Sequence, residues 1–147
     1  MIVTLTAHPS LDRTVALSST LARGAVLRAT SATEQAGGKG VNISRAAVAA
    51  GAATLAVLPA SPGDPFLADL ASAGIPMTTV GGTGPIRTNL TITEPDGLTT
   101  KINTSAEPVN LFVLDQLAAT VIDAAANARW VVPVSYTHLT LPTNREV

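Results

Sequence analysis

The residues able to do chemistry gather in a few short stretches. Gln35-Ala36-Gly37-Gly38-Lys39-Gly40-Val41-Asn42-Ile43-Ser44-Arg45 sets three glycines and a lysine at the start of a small-residue helical run. Glycine there permits close backbone approach and positive φ. The first N–H groups of a helix lack intrahelical partners and carry partial positive charge. A glycine turn feeding a helix therefore suits anionic or hydroxyl-rich ligands. Asn42 falls in the first turn, where its amide can donate and accept and so grip two neighbouring sugar hydroxyls. Asp12 follows the first strand pattern in a loop, and its carboxylate can accept from two hydroxyls; a lone loop Asp is more commonly an Asx turn or a cap. Arg87 and Lys101 stand near the base of a hairpin pattern, one on each arm, where two cations can converge. By the residues alone they read better as charges guarding a sheet edge. His8 reads as a turn residue rather than a base.

The glycine stretch is neither a Walker A loop nor a Rossmann fingerprint. The first needs four residues between its leading glycine and Gly-Lys, then Ser or Thr after the lysine, and here Gly40 follows Lys39. The second needs a spacing that Gly37-Gly38-Lys39-Gly40 lacks. With no cysteine and only His8 and His138, the chain offers no thiolate metal site and no His-based metal centre. A net charge of −1 and 3% aromatic residues argue against nucleic-acid binding. The 147 residues are 46% hydrophobic, enough for the core of one domain or part of a larger one, built mainly from Ala, Val, Leu and Ile. The N-terminus has no basic region ahead of its apolar residues, so no signal peptide is expected. Ala46 to Ala60 is mostly alanine and is broken by Gly51, Thr54 and Pro59, short of a membrane span. These features point to a cytoplasmic protein.

The elements that must position these residues follow from patterning. Ile2 to Thr6 is β-branched and stops at Pro9, a first strand. Arg13 to Ser18, Ala25 to Thr30 and Ser31 to Gln35 lean to β and suggest a small interposed sheet. Val41 to Ala50 is a helix with Gly51 as its stop, and Thr54 to Leu58 a buried parallel strand. Phe66 to Ala73 is a short helix, and Pro76 to Val80 another strand. Alternation of this kind indicates βαβ units and a parallel sheet. Thr88 to Thr93 and Leu98 to Asn103 flank Pro95-Asp96-Gly97 as a β-hairpin. Asn110 to Ala128 repeats Leu114, Leu117, Val121 and Ile122 at helical spacing, and Trp130 opens a further buried strand.

The last stretch, Val134 to Val147, contains no alanine and holds the only tyrosine. It resembles the translated end of a transposon adapter used in DNA library preparation. Residues 134–147 are accordingly read as a non-native tail from adapter read-through and set aside from fold reasoning.

Taken together, the motifs resemble the N-terminal part of the ribokinase-like (PfkB) sugar kinases, nearest the 1-phosphofructokinase and tagatose-6-phosphate kinase branch. The resemblance covers Ile2 to about Val132. It rests on Pro9-Ser10-Leu11-Asp12, Gly37 to Ala46, Arg87-Thr88-Asn89-Leu90 and Thr99-Thr100-Lys101-Ile102-Asn103 in that order and spacing. The Thr-Lys-Ile-Asn run favours 1-phosphofructokinase. The family fold implies a Rossmann-like three-layer α/β/α core with a mostly parallel sheet. It also implies a small β-sheet lid, its strands within about residues 12–35 and 87–103, that can join two copies as a homodimer. Residues 1–133 would be the N-terminal part of one kinase domain, truncated.

By the same resemblance, Asp12, Gly37, Gly38 and Asn42 hold the sugar hydroxyls. Lys39, Arg87 and Lys101 face the phosphate the sugar already carries, and Arg13 and Arg28 assist. The implied reaction converts fructose 1-phosphate to fructose 1,6-bisphosphate with ATP and Mg²⁺, chemistry that needs positioning and charge neutralisation above all. The alternatives are tagatose-6-phosphate kinase, 6-phosphofructokinase, or a non-catalytic sugar-phosphate-binding module. The family's catalytic Asp lies in a Gly-Ala-Gly-Asp motif that does not occur in this sequence, and its nucleotide site lies in the C-terminal half. The chain as written is therefore expected to hold sugar-phosphate residues but no catalytic residue, no nucleotide site and no activity.

Overall fold

The computed structural model describes residues 1–82 and 84–134. Among the described residues the chain forms two four-stranded sheets and three helices. The larger sheet is parallel throughout and runs β5 (Met77–Val80), β4 (Thr54–Pro59), β1 (Ile2–Thr6), β8 (Trp130–Val134). Helix α1 (Lys39–Ala49) leads into β4, and α2 (Pro65–Ser72) leads into β5. Helix α3 (Leu111–Ala125) precedes β8.

Side chains alternate across a strand, and β4 shows what that does when both faces are covered. Ala56 and Leu58 pack with Val41 of α1 and with Phe66 and Leu70 of α2. Val57, between them, packs with Val3 of β1 and with Val113 and Leu117 of α3. Two helices therefore lie on one face and one on the other, giving the α/β/α layering that the sequence suggests. Three buried hydroxyls tie α1 to its sheet: Thr4 Oγ1 meets Ser44 Oγ at 2.8 Å, and Ser44 Oγ meets Thr54 Oγ1 at 2.9 Å. Thr54 in turn donates to the Ile2 carbonyl, so the chain of hydroxyls ends on a backbone acceptor.

The smaller sheet runs β3 (Ala29–Gly37), β2 (Ser10–Leu17), β6 (Arg87–Thr93), β7 (Thr99–Ile102). β2 pairs antiparallel with β3 but parallel with β6, while β6 and β7 form the expected hairpin. Three details differ from the sequence reading. The loop expected at Asp12 is instead strand, with Ser10 to Asp12 opening β2. Of Ala25 to Thr30, expected as strand, Ala25 to Arg28 is irregular and strand begins at Ala29. That segment turns at Gly24 (φ 77) and leaves Val26 98% exposed, so its β-leaning residues have no neighbouring strand to pair with. Helix α1 begins at Lys39 rather than Val41, because the N-cap is Gly38 (φ 116). The expectation of a foreign tail lies outside the described residues from 135 onward; its first residue, Val134, is the last of β8 and pairs with Thr6.

Candidate functional site

The two sheets meet where β1 ends and β2 begins, and a cleft of about 160 Å³ opens there. β2 and β6 set one wall. Their parallel register places Ser10 beside Arg87 and Asp12 beside Asn89. Residues two apart on a strand share a face, so all four side chains project to the same side of the small sheet. The N-terminus of α1 supplies Gly38, Lys39 and Asn42, and β1 and its following turn supply Thr6 and His8.

The glycines have separate jobs. A Cβ at Gly37 would collide with the Asp12 carboxylate, so this glycine makes room for a functional group of the same protein. Gly38 takes the positive φ from which α1 starts. A Cβ at Gly40 would meet the Leu5 carbonyl and the Thr6 hydroxyl, so this glycine lets the helix seat against β1. Once seated, the helix donates Val41 N–H to Thr6 Oγ1 at 3.0 Å, which satisfies one of its otherwise unpaired N-terminal groups.

Arg45, the last residue of the motif, acts away from the cleft. Its Nη2 donates to the Ala36 carbonyl at 3.0 Å and pairs with Asp69 of α2 at 3.1 Å. Asp69 accepts the Ala36 N–H at 2.8 Å. Both backbone groups of Ala36, on the outermost strand of the small sheet, are thereby held by one ion pair. That pair fixes the approach to the glycine turn from outside.

Inside the cleft, Asp12 Oδ1 accepts from Ser10 Oγ and from Asn89 Nδ2, each at 3.0 Å. Arg87 donates through Nη1 to the Thr104 carbonyl at 2.7 Å, and its buried Nε has no protein partner. His8 is held below its ordinary value of 6.5, first by partial burial and then by the Arg87 guanidinium, while a hydrogen bond with the Glu107 backbone opposes both. His8 and Arg87 also border a larger, more apolar cavity of about 460 Å³, which extends past Pro9 and Ile86 to Val109.

Asp12, Gly38, Lys39, Asn42 and Arg87 thus line one cleft, with Gly37 directly beneath Asp12. Lys101 does not line the cleft. It pairs with Thr91, so it shares the face of Arg87 and Asn89 but is exposed and displaced along the sheet. The offset from Arg87 is roughly 13 Å at about 3.3 Å per residue. Arg13 takes the opposite face and pairs with Glu34 at 3.3 Å, both half exposed. Arg28 is exposed ahead of β3. Thr6, Ser10 and Asn89 also line the cleft, and His8, read as a turn residue, lines it too. The missed signal was the two-residue step from Asp12 back to Ser10 and from Arg87 on to Asn89.

No family model matches this chain, and no curated protein does. Solved structures do. Phosphofructokinase-2 from Escherichia coli, crystallised with fructose-6-phosphate, superposes with a TM-score of 0.76 at 27% identity, over 83% of this chain and 41% of that one. The fold is that of the PfkB-type phosphofructokinases. A Thermotoga maritima protein described as a possible 1-phosphofructokinase shares the fold with a TM-score of 0.81 at 22% identity, over 92% of this chain and 45% of that one. The tetrameric inhibited form of the Escherichia coli enzyme matches with a TM-score of 0.74 at 27% identity, over 83% and 41%. The chain therefore spans less than half the length of these PfkB-type structures.

Proposed function

We propose that this chain forms the sugar-phosphate-binding part of a PfkB-type carbohydrate kinase, with fructose 1-phosphate as the substrate and fructose 1,6-bisphosphate as the product. The observation that carries this reading is the convergence of two kinds of group in one cleft. Asp12 accepts and Asn42 both donates and accepts, which suits vicinal hydroxyls. Lys39 and Arg87 bring positive charge to the same cleft, which suits a phosphate. Gly37 leaves room for the Asp12 carboxylate, and Gly38, which lines the cleft, starts α1 beside it. The match to a fructose-6-phosphate complex supports a hexose phosphate as the ligand class. The choice of fructose 1-phosphate over fructose 6-phosphate or tagatose 6-phosphate rests on the resemblance carried by the Thr-Lys-Ile-Asn run around Lys101, which stands on the Arg87 face of the small sheet but displaced along it from the cleft.

ATP and Mg²⁺ belong to the same reading, and the described residues of the cleft do not make up a metal site. Among those residues no group of three or more His, Asp or Glu could hold a metal ion, and Asp12 is the one carboxylate lining the cleft. The role assigned to this chain is therefore binding and orienting the acceptor. A cytoplasmic location completes the proposal; among the described residues no helix is long and apolar enough to cross a membrane. A homodimer through the small sheet is supported by its far face, where Val15, Leu90, Ile92 and Ile102 stand opposite the cleft side.

Isothermal titration of the 147-residue chain with the three sugar phosphates and with fructose tests the proposal. Fructose 1-phosphate should bind most tightly, and fructose without phosphate weakest. Equal affinity for fructose and its phosphates would remove the phosphate-binding role. Binding that stays without turnover, once the reading frame is extended to the length of the structural neighbours, would favour the non-catalytic sugar-phosphate module.

A further inference from the structure

We infer that Asn89 is a positioning residue that sets the Asp12 carboxylate for a sugar hydroxyl; the inference rests on the sugar-phosphate reading of the cleft. Asn89 of β6 lies on the same rung as Asp12 of β2. Its Nδ2 donates to Asp12 Oδ1 at 3.0 Å, and the same oxygen accepts from Ser10 Oγ at 3.0 Å. Two donors on one oxygen fix the carboxylate plane. The other oxygen, Oδ2, lies over Gly37, where a Cβ would strike it. Residues of three strands thus confine one side chain.

The amide has only one workable orientation. A carboxylate accepts and cannot donate, so turning Asn89 over would set oxygen against oxygen. In the observed orientation Asn89 Oδ1 is buried and has no protein partner. An unpaired buried acceptor destabilises a fold. That unpaired acceptor offsets part of what the fold gains from the Nδ2 bond to Asp12. What the amide does supply is a directed donor on Asp12. Ser10, at the cleft's other edge, assists from Asp12's own strand and is itself buried.

The test compares the 147-residue chain with Asn89→Leu and Asn89→Ser. The first removes the donor at similar size, and the second withdraws it without adding apolar bulk. Three readouts apply: the Asp12 side-chain carboxyl carbon resonance, thermal melting, and fructose 1-phosphate affinity by titration calorimetry. Both variants should move the Asp12 resonance while melting stays within a few degrees of the parent. Affinity should fall about tenfold, the scale of one hydrogen bond to a charged group. In an Asp12→Ala background, Asn89→Leu should cause no further loss, because a residue that acts through another is non-additive with it. An unmoved Asp12 resonance in both variants, or full additivity of the two substitutions, would overturn the inference. If the parent chain binds none of the sugar phosphates, the functional reading fails on that result alone, and the resonance still decides whether Asn89 positions Asp12.

Discussion

β4 buries Ala56, Val57 and Leu58 in succession, because helices cover both of its faces. β2 and β6 of the small sheet alternate instead. One side carries Ser10, Asp12, Arg87 and Asn89, and the other carries Leu11, Val15, Leu90 and Ile92. Of that apolar side, Leu11 packs against the main core, whereas Val15, Leu90 and Ile92 join neither buried cluster among the described residues. The large sheet needs apolar volume at each position and little else, and many residue types satisfy that. The small sheet needs particular donors and acceptors at particular rungs. Stability thus resides mainly in one sheet, the other supplies Ser10, Asp12, Arg87 and Asn89 to the cleft, and the cleft lies on the seam between them.

Phe66→Ala gives the largest expected effect. Phe66 is buried among Leu58, Leu70 and Ile75, and truncating it should cost about 3–5 kcal/mol of stability in urea unfolding. Sugar-phosphate affinity of the protein that remains folded should be unchanged. A loss of affinity in folded protein would break the division between the sheets. Gly37→Ala should do the reverse. Its backbone is not in the left-handed region, so the added methyl acts by displacing the Asp12 carboxylate. Overpacking of this size costs about 1–3 kcal/mol, less than the core truncation. Affinity measured by calorimetry should drop at least tenfold, about 1.4 kcal/mol. Unchanged affinity would show that Asp12 is not a ligand group.

The same contrast explains what could be read from the sequence. The large sheet and its helices follow from apolar runs and the stop at Gly51, and each element was legible to within a few residues. The small sheet was legible as a hairpin and some β-leaning stretches, but its register was not. Antiparallel pairing of β2 with β3 and parallel pairing with β6 are long-range choices that no local pattern encodes. Register is what separates Asp12 from Arg13: one faces the cleft, and its neighbour turns away to Glu34. It also places Lys101 beside Thr91 rather than beside Arg87. Asn89 and Ser10 went unread for the same reason, since each gains meaning only from the residue across the strand.

His8 offers the finest test, because it sits on the seam itself. Partial burial and the Arg87 guanidinium both disfavour its charged form, and together they outweigh the Glu107 backbone bond, so its folded-state value lies below 6.5. The unfolded chain then binds more protons in this window, and stability rises with pH. The contribution of neutral His8 is fully present above 6.5 and is lost as pH falls from there through the lowered folded value. Solvent screening keeps the effect below about 1 kcal/mol. His8→Gln should flatten stability between neutral and mildly acidic pH by that amount, measured by urea unfolding at each pH. A bound phosphate changes the sign of the local field: it offsets Arg87 and Lys39 and favours the imidazolium. Near pH 6 the phosphate of fructose 1-phosphate also ionises as it meets Arg87 and Lys39, its second pKa being about 6. The His8 contribution is therefore the difference in proton uptake, read from buffer-dependent binding enthalpies, between the parent and His8→Gln, and the parent should take up more. The same proton exchange in the parent and in His8→Gln would place the phosphate away from His8. The seam would then hold the sugar alone, with its phosphate directed elsewhere.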